Sequence, residues 1–326
     1  MNVTAAPRRA LRAAQRAVNR LVNLFDSPIV VLAYHRVADL ERDPQALAVG
    51  AKRFRAQMRL LRGRYQLLRL EDSWPRVERP AAIVTFDDGY ADNATTALPI
   101  LEQEEVPATF FVSVGAVESG REFWWDELER WLLTDAPLPH PIAIGDGPDR
   151  RAWSTRTQED RRKLYEALHS QLRDSTPARR ERLLEELRAA IGGVEAPRPS
   201  HRPLTTAEIA VLGRSRWASV GAHGVSHTPF SALSLEEQRE EMLTSRERLR
   251  SWCGAEVASF SFPFGGRRDF TRDSVRLARE VGFRRVAANT PGQIRRWSDP
   301  FLVPRFLVRD WNEDRFAFEL NRFETA

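Results

Sequence analysis

The chain of 326 residues has one cysteine, two lysines and no long apolar run, and each scarcity excludes something. A single cysteine, Cys253, rules out an internal disulfide framework and a cysteine zinc cluster, agrees with a reducing compartment, and reads as a small buried apolar residue. The longest strongly apolar stretch, Pro28 to Tyr34, falls far short of the roughly 20 residues that a bilayer-spanning helix needs. No apolar segment with a small-residue cleavage site follows the basic N-terminus, so no secretory signal is visible and the chain is expected to be cytoplasmic. Because only Lys52 and Lys163 are lysines, 48 of the 50 basic residues are arginine, a type suited to phosphate or carboxylate contacts. Yet 45 acidic residues are interspersed and the net charge is only +5, so nucleic-acid binding is not expected.

What is present suits a globular enzyme. A hydrophobic content of 42% allows a sizeable core, and one α/β barrel domain of this length is routine. Residues 1–26 carry Arg8, Arg9, Arg12, Arg16 and Arg20 with no acid before Asp26, while Leu11, Ala14, Val18, Leu21, Val22 and Phe25 recur at helical spacing. This is a basic amphipathic arm, which either packs on its own domain or makes peripheral contact with an anionic membrane, at its inner face for a cytoplasmic chain.

Short apolar, β-branched runs predict strands at Ile29–Tyr34, Ala82–Phe86, Ala108–Val114, Ser219–Ala222, Ser259–Phe262, Arg285–Ala288 and Phe301–Val308. Helical patterns at Phe54–Arg64, Ala94–Glu104, Leu235–Trp252 and Thr271–Val281 alternate with them, as in parallel β/α units. Residues 121–215 break the rhythm with Phe123, Trp124 and Trp125, a Pro/Gly loop, and a charged helical stretch over Gln158–Ile191. A connection this long should carry helices of its own and form an insertion or lid in a domain spanning 27–326.

Two strings carry chemistry. Thr85-Phe86-Asp87-Asp88-Gly89-Tyr90 follows an apolar run, so two carboxylates leave one strand end in different directions, one able to bind metal while the other remains a base. Gly221-Ala222-His223-Gly224-Val225-Ser226-His227 holds two of the six histidines, four apart, which can converge on one ion along a helix face or across a tight loop. One carboxylate with two histidines suits a hydrolytic zinc, iron or manganese site.

Together with Leu98–Leu101, Pro107-Ala108-Thr109-Phe110-Phe111-Val112 and Ser261-Phe262-Pro263-Phe264-Gly265, these strings resemble the polysaccharide deacetylase family, carbohydrate esterase family 4, with its NodB homology domain. The resemblance covers roughly residues 28–120 and 216–310. It implies a deformed (β/α)7 barrel of the NodB type, here with a mainly helical insertion, and hydrolysis of an N-acetyl group on an amino sugar in a polysaccharide or glycoconjugate. Residue by residue, it implies that Asp88, His223 and His227 bind a divalent metal, with zinc as the default and iron, cobalt or manganese as alternatives. Asp87 is then the general base, and the Phe264 backbone N–H meets the oxyanion. Two departures stand out. Ser261 occupies the position where many members carry an arginine that orients the base, a part that Arg305 can take instead. No histidine follows His227, which leaves His35, just beyond an early strand, as the general-acid candidate. Tyr90, Trp124 and Trp125 are placed with Phe264 as substrate-facing residues, and Trp297 and Trp311 as further stacking candidates. Hydrolysis of another amide such as a formyl group, or a silent carbohydrate-binding barrel, remain the competing readings; the oligomeric state is left open.

Overall fold

The computed structural model describes residues 17–74, 77–145, 150–192 and 197–326. The chain starts on β1 (Ile29–Tyr34), crosses through α1 (Ala51–Arg64) and the two-residue β2 (Gln66–Leu67) to β3 (Ala81–Phe86), then runs through a π-helical turn, Asn93–Ala97, into α2 (Leu98–Glu104) and β4 (Ala108–Val112). After α3 (Val114–Ser119) come α4 (Trp124–Leu132), an antiparallel hairpin of β5 (Ile142–Ile144) and β6 (Arg151–Trp153), α5 (Gln158–Arg173) and α6 (Pro177–Ala190). α7 (Thr206–Arg214) leads into β7 (Ala218–Ala222), followed by α8 (Leu235–Cys253), β8 (Ser259–Ser261), α9 (Arg272–Val281), β9 (Arg285–Ala288), β10 (Val303–Pro304), β11 (Phe306–Leu307) and α10 (Glu313–Phe323).

The main sheet has the order β10-β9-β8-β7-β4-β3-β1-β11, with β2 beside β3 and every pairing parallel. Its two edges belong to one short segment. Val303 and Pro304 pair with Ala287 and Ala288, and two residues later Phe306 and Leu307 pair with Leu32 and Ala33. The stretch 303–307 therefore bridges the edges, with Arg305 at the joint, and the seven strand positions make the expected nearly closed (β/α) barrel.

Strand burial follows from this closure. Ile29 and Val31 on β1 join Ile83, Phe111, Ala287 and Val303 in one cluster, while Val30, Leu32 and Tyr34 face a second cluster containing residues of α1, α7, α8 and α9. The period-2 alternation thus fills two apolar spaces, and the strands read as continuous apolar runs. Helix starts carry their own signals: Thr157/Asp160, Thr205/Glu208, Ser234/Glu237 and Thr271/Ser274 form reciprocal capping boxes.

Several sequence expectations change. The single helical stretch over Gln158–Ile191 is two helices, parted at Asp174–Thr176 where Pro177 can open a helix but not continue one. Residues 121–215 contain a β-hairpin whose two strands, Ile142–Ile144 and the mostly exposed Arg151–Trp153, are too short to signal in the sequence. Thr206–Arg214 is a barrel helix packed on β7 and α8, so the departure from the barrel ends before 206 and not near 215. The run Phe301–Val308 is interrupted at Arg305. Most of the basic arm, including Arg8, Arg9, Arg12 and Arg16, lies outside the described residues, among which no helix is long and apolar enough to cross a membrane.

Packing of α7 on α8 depends on Gly213. A Cβ there would lie 2.2 Å from the carbonyl oxygen of Cys253, a backbone atom that cannot swing aside. Gly213→Ala is expected to destabilise the fold by about 1–3 kcal/mol through overpacking, read by denaturant unfolding.

Candidate metal and catalytic site

The functional side chains gather where strands end. His35 follows β1, Asp87 and Asp88 follow β3, His223 follows β7 and Phe264 lies three residues after β8. A cavity of about 140 Å3 is lined by His35, Asp87, Asp88, Trp125, His223, His227 and Phe264, together with Gln45, Leu47, Asn289 and Leu307. The C-terminal ends of barrel strands are where side chains can converge without interrupting the core.

Asp88, His223 and His227 are buried and offer ligand atoms within 4.8 Å of one another. Both Nε2 atoms face the same carboxylate oxygen: His227 Nε2 lies 3.1 Å and His223 Nε2 3.5 Å from Asp88 Oδ1. Zinc held at about 2.0–2.1 Å by a tetrahedral donor set would separate neighbouring donors by about 3.4 Å, close to this spacing. Tautomers sharpen the test. His223 Nδ1 lies 2.8 Å from the carbonyl oxygen of Ser261, which can only accept, so Nδ1 donates and Nε2 is the ring atom turned toward the Asp88 carboxylate. Two electron-rich atoms in that arrangement require either a second proton or a cation between them, and the donor set fits a divalent ion. Burial raises the Asp88 carboxyl, but where a second proton stands in place of the cation the hydrogen bonds of His223 and His227 outweigh it and hold the group well below its ordinary range.

Asp87 is not part of that cluster. Arg305 Nη1 donates to its Oδ1 at 2.7 Å and Nη2 to its Oδ2 at 2.6 Å, while the same two nitrogens reach Thr85 Oγ1 at 3.2 Å and Ser261 Oγ at 2.8 Å. The small Ser261 leaves room for a guanidinium arriving from the far end of the sequence. Burial raises the Asp87 carboxyl; Arg305 and then His223 reverse the effect and hold it below its ordinary value, so it is ionised at neutral pH.

Among the described residues, three of the five non-glycine residues with positive φ stand here: Asp88 at 73°, His227 at 49° and Phe264 at 60°. Asp88 and Phe264 are each the centre of a γ-turn, closed by Gly89 N–H to Asp87 O at 2.9 Å and by Gly265 N–H to Pro263 O at 2.7 Å. Such strain persists only where the surroundings over-determine it. Asn289 contributes, donating from Nδ2 to Phe264 O at 2.8 Å while its backbone N–H donates to Gly265 O at 2.8 Å.

Of the aromatic candidates, Trp125 and Phe264 wall the cavity, with ring centroids 4.7 and 4.8 Å from that of His227. Tyr90 and Trp124, the other two expected to face substrate, do not line this cavity. Trp124 turns to a neighbouring groove beside Arg180, and the Tyr90 hydroxyl receives Trp125 Nε1 at 2.7 Å and donates to Asp126 at 2.6 Å. Tyr90 thus acts behind Trp125. Trp311 packs on the core and Trp297 is exposed, neither at this cavity. Sequence reasoning missed Gln45, Leu47, Asn289 and Leu307. Asn289, directly after β9, carried a usable signal in its strand-end position; Gln45 lies in an irregular loop and carried none.

Comparisons with known proteins agree with this fold. The family model described as polysaccharide deacetylase matches residues 75–136 and 206–286. Solved structures with the same fold include the Streptococcus pyogenes deacetylase PplD in complex with acetate, at 15% identity and a TM-score of 0.58 over 90% of this chain and 98% of that one. IcaB from Ammonifex degensii aligns at 18% identity and a TM-score of 0.57, covering 92% and 98%. The polysaccharide deacetylase BC0361 from Bacillus cereus aligns at 19% and 0.57, covering 91% and 70%. No curated protein matches the chain. Over residues 75–136 and 206–286 the chain matches the polysaccharide deacetylase family, hydrolases of carbon–nitrogen bonds other than peptide bonds.

The support behind Trp125 titrates. Burial, set against the attraction of Arg36, pushes the Asp126 carboxyl up to about 7. A carboxyl raised in the folded state contributes stability that is full below its unfolded pKa near 3.9 and is lost as pH rises through about 7. Asp126→Asn is therefore expected to flatten the fall in Tm between pH 5 and pH 8 by a few degrees, at about 2 °C per kcal/mol for a chain of this size, measured by thermal scans across that range.

Proposed function

We propose that the chain removes the N-acetyl group from an amino sugar in a polysaccharide or glycoconjugate, with a divalent cation, zinc by default, held by Asp88, His223 and His227. The observation that carries this reading is the placing of an ionised carboxylate, clamped on both oxygens by Arg305, in one cavity with a separate three-donor cluster. When bound, the ion polarises the amide carbonyl and acidifies water. Asp87 accepts the proton as the water oxygen bonds to the acyl carbon, and Arg305 keeps the carboxylate ionised and fixed in its plane. The Phe264 N–H, offered by a strained turn, meets the negative oxygen. The C–N bond then breaks, a proton goes to the leaving amine, and acetate departs.

His35 is the donor for that proton. It lines the cavity, and burial pushes its imidazole below the ordinary value although Asp88 and Asp87 oppose the shift, so its acid form becomes scarcer as pH rises. Trp125, beside His227, provides an apolar face for the sugar ring.

The test is acetate release from N-acetylated amino sugars by the purified chain, with zinc returned after chelation. Asp87→Asn should lower kcat by about 10²–10⁴-fold while zinc still binds. Loss of zinc along with activity would give Asp87 a structural part instead of a basic one, and wild-type zinc binding without acetate from any sugar would point to another acyl group.

The arm belongs to this proposal as a peripheral contact with the inner face of a membrane in a cytoplasmic enzyme. Val18, Leu21, Leu24 and Phe25 are more than half exposed, close in sequence to Arg20 and the four arginines before it. Asn19 and Asn23 tie the arm to the backbone of residues 324–326, and Arg295 ties its end, Asp26, ahead of β1. The site opens at the other end of β1, six residues or about 20 Å away, so a docked enzyme would face its cavity away from the bilayer. Removing residues 1–26 should abolish sedimentation with phosphatidylserine vesicles at low salt; undiminished sedimentation would contradict the contact.

A further inference from the structure

One charged side chain from the segment between α3 and α7 reaches the metal-ligand loop without belonging to the donor set or to the Asp87 pair. Arg180, on α6, is 6% exposed and donates from Nη2 to Ser226 O at 2.6 Å and to Thr228 Oγ1 at 3.2 Å. These acceptors belong to the two neighbours of His227. Among the described residues no carboxylate forms an ion pair with Arg180, and its Nη1 has no hydrogen-bond partner. Glu241 and Glu181 attract it without touching it, and a buried guanidinium without a direct ion pair is costly to keep, so its position calls for an explanation.

The same loop is held from its other side. The Glu241 carboxylate, on α8, accepts the N–H of Val225 at 2.6 Å and that of Ser226 at 3.1 Å. Ser113 Oγ and Gly115 N–H both donate to Val225 O. Residues 225–228 therefore lie between an anion that fixes amides and a cation that fixes a carbonyl and a hydroxyl.

His227 needs such a frame more than His223 does. The His223 ring is oriented by its own bond to Ser261 O, whereas His227 Nδ1 has no partner and its backbone is left-handed at φ 49°. With no hydrogen bond on the outer nitrogen, the direction of its Nε2 is set by the backbone and by packing against Trp125 and Phe264.

We propose that Arg180 is a positioning residue of the metal centre: by holding Ser226 O and Thr228 Oγ1, it keeps His227 in the left-handed conformation that aims Nε2 at Asp88. The proposal rests on the reading that Asp88, His223 and His227 hold a divalent ion. It gives the helical segment a part in assembling the site, distinct from covering it.

The test measures zinc alone, without substrate, by competition with a chromophoric chelator on the full chain. Arg180→Met should weaken zinc binding by about 10–100-fold, and Arg180→Lys, which keeps a buried cation and one donor, should restore part of the loss. Arg42→Ala is the control, because Arg42 ties α4 to the β1–α1 loop, donating to Leu133 O at 2.7 Å and lying 3.2 Å from Glu129, without touching residues 226–228. Its zinc affinity should stay within about twofold of wild type. Equal affinity in wild type and Arg180→Met, or an equal loss in Arg42→Ala, overturns the positioning role alone. Absence of zinc binding in the wild type overturns the metal reading and the positioning role with it. Should Arg180→Met fail to fold by circular dichroism, Arg180→Lys decides: weakened binding supports the role and unchanged binding overturns it.

Discussion

The contact between Arg305 and Asp87 joins the architecture to the chemistry. Both side chains are buried, and a buried ion pair offsets its desolvation only where its geometry is good and most other polar valences are met; of the guanidinium nitrogens only Nε has no partner. Here the two Nη groups make four hydrogen bonds, to both Asp87 oxygens, Thr85 and Ser261, so the fork spans the ends of β3 and β8 from the joint between β10 and β11. The residue that completes the barrel wall is also the one that keeps the Asp87 carboxylate ionised. Arginine is suited to this because its planar fork matches a carboxylate bidentately, whereas a lysine would offer a single point of charge.

Around that pair the site is built from backbone under strain. Asp88, His227 and Phe264 depart into positive φ, and each is held by something distant in sequence: Asp88 through the histidines from the loop after β7, Phe264 through Asn289 after β9, His227 through the bonds on either side of it. A left-handed residue costs about 1–2 kcal/mol relative to a right-handed one, so three at one site require the rest of the fold to outweigh several kcal/mol. Closing these turns also makes room. A Cβ on Gly89 would meet Val112 Cγ1 at 2.8 Å, and one on Gly265 would meet the Asn289 nitrogen at the same distance.

Much of this was legible in the sequence because it rests on local pattern. β1 and β9 fall where their apolar runs predict, since strands buried on both faces leave an uninterrupted signal. The Asp-Asp-Gly and His-Gly-Val-Ser-His strings kept their spacing because turn geometry and ligand geometry constrain the same few residues. Arg305 was a candidate only through the family resemblance, whose usual arginine position is Ser261 here. What escaped depends on direction and long-range meeting. Nothing local says that Tyr90, one residue after Gly89, turns its hydroxyl to Asp126, or that Trp124 and Trp125, adjacent on one helix, face different cavities. Arg180 is one of 48 arginines, and only the fold distinguishes it.

The shortest strands of the barrel are the two that complete it, each of two residues. Sheet segments that small contribute few ladder bonds, and partial opening of a protein begins where the fewest cooperative contacts must be broken. An excursion that parts β10 from β9 or β11 from β1 would draw Arg305 away from Asp87, leaving a buried carboxylate without its partner. The closed ring and the ionised Asp87 carboxylate would then share a single opening equilibrium. Amide exchange at residues 303 and 305–307 and the protonation of Asp87 would report the same event, before the rest of the barrel unfolds.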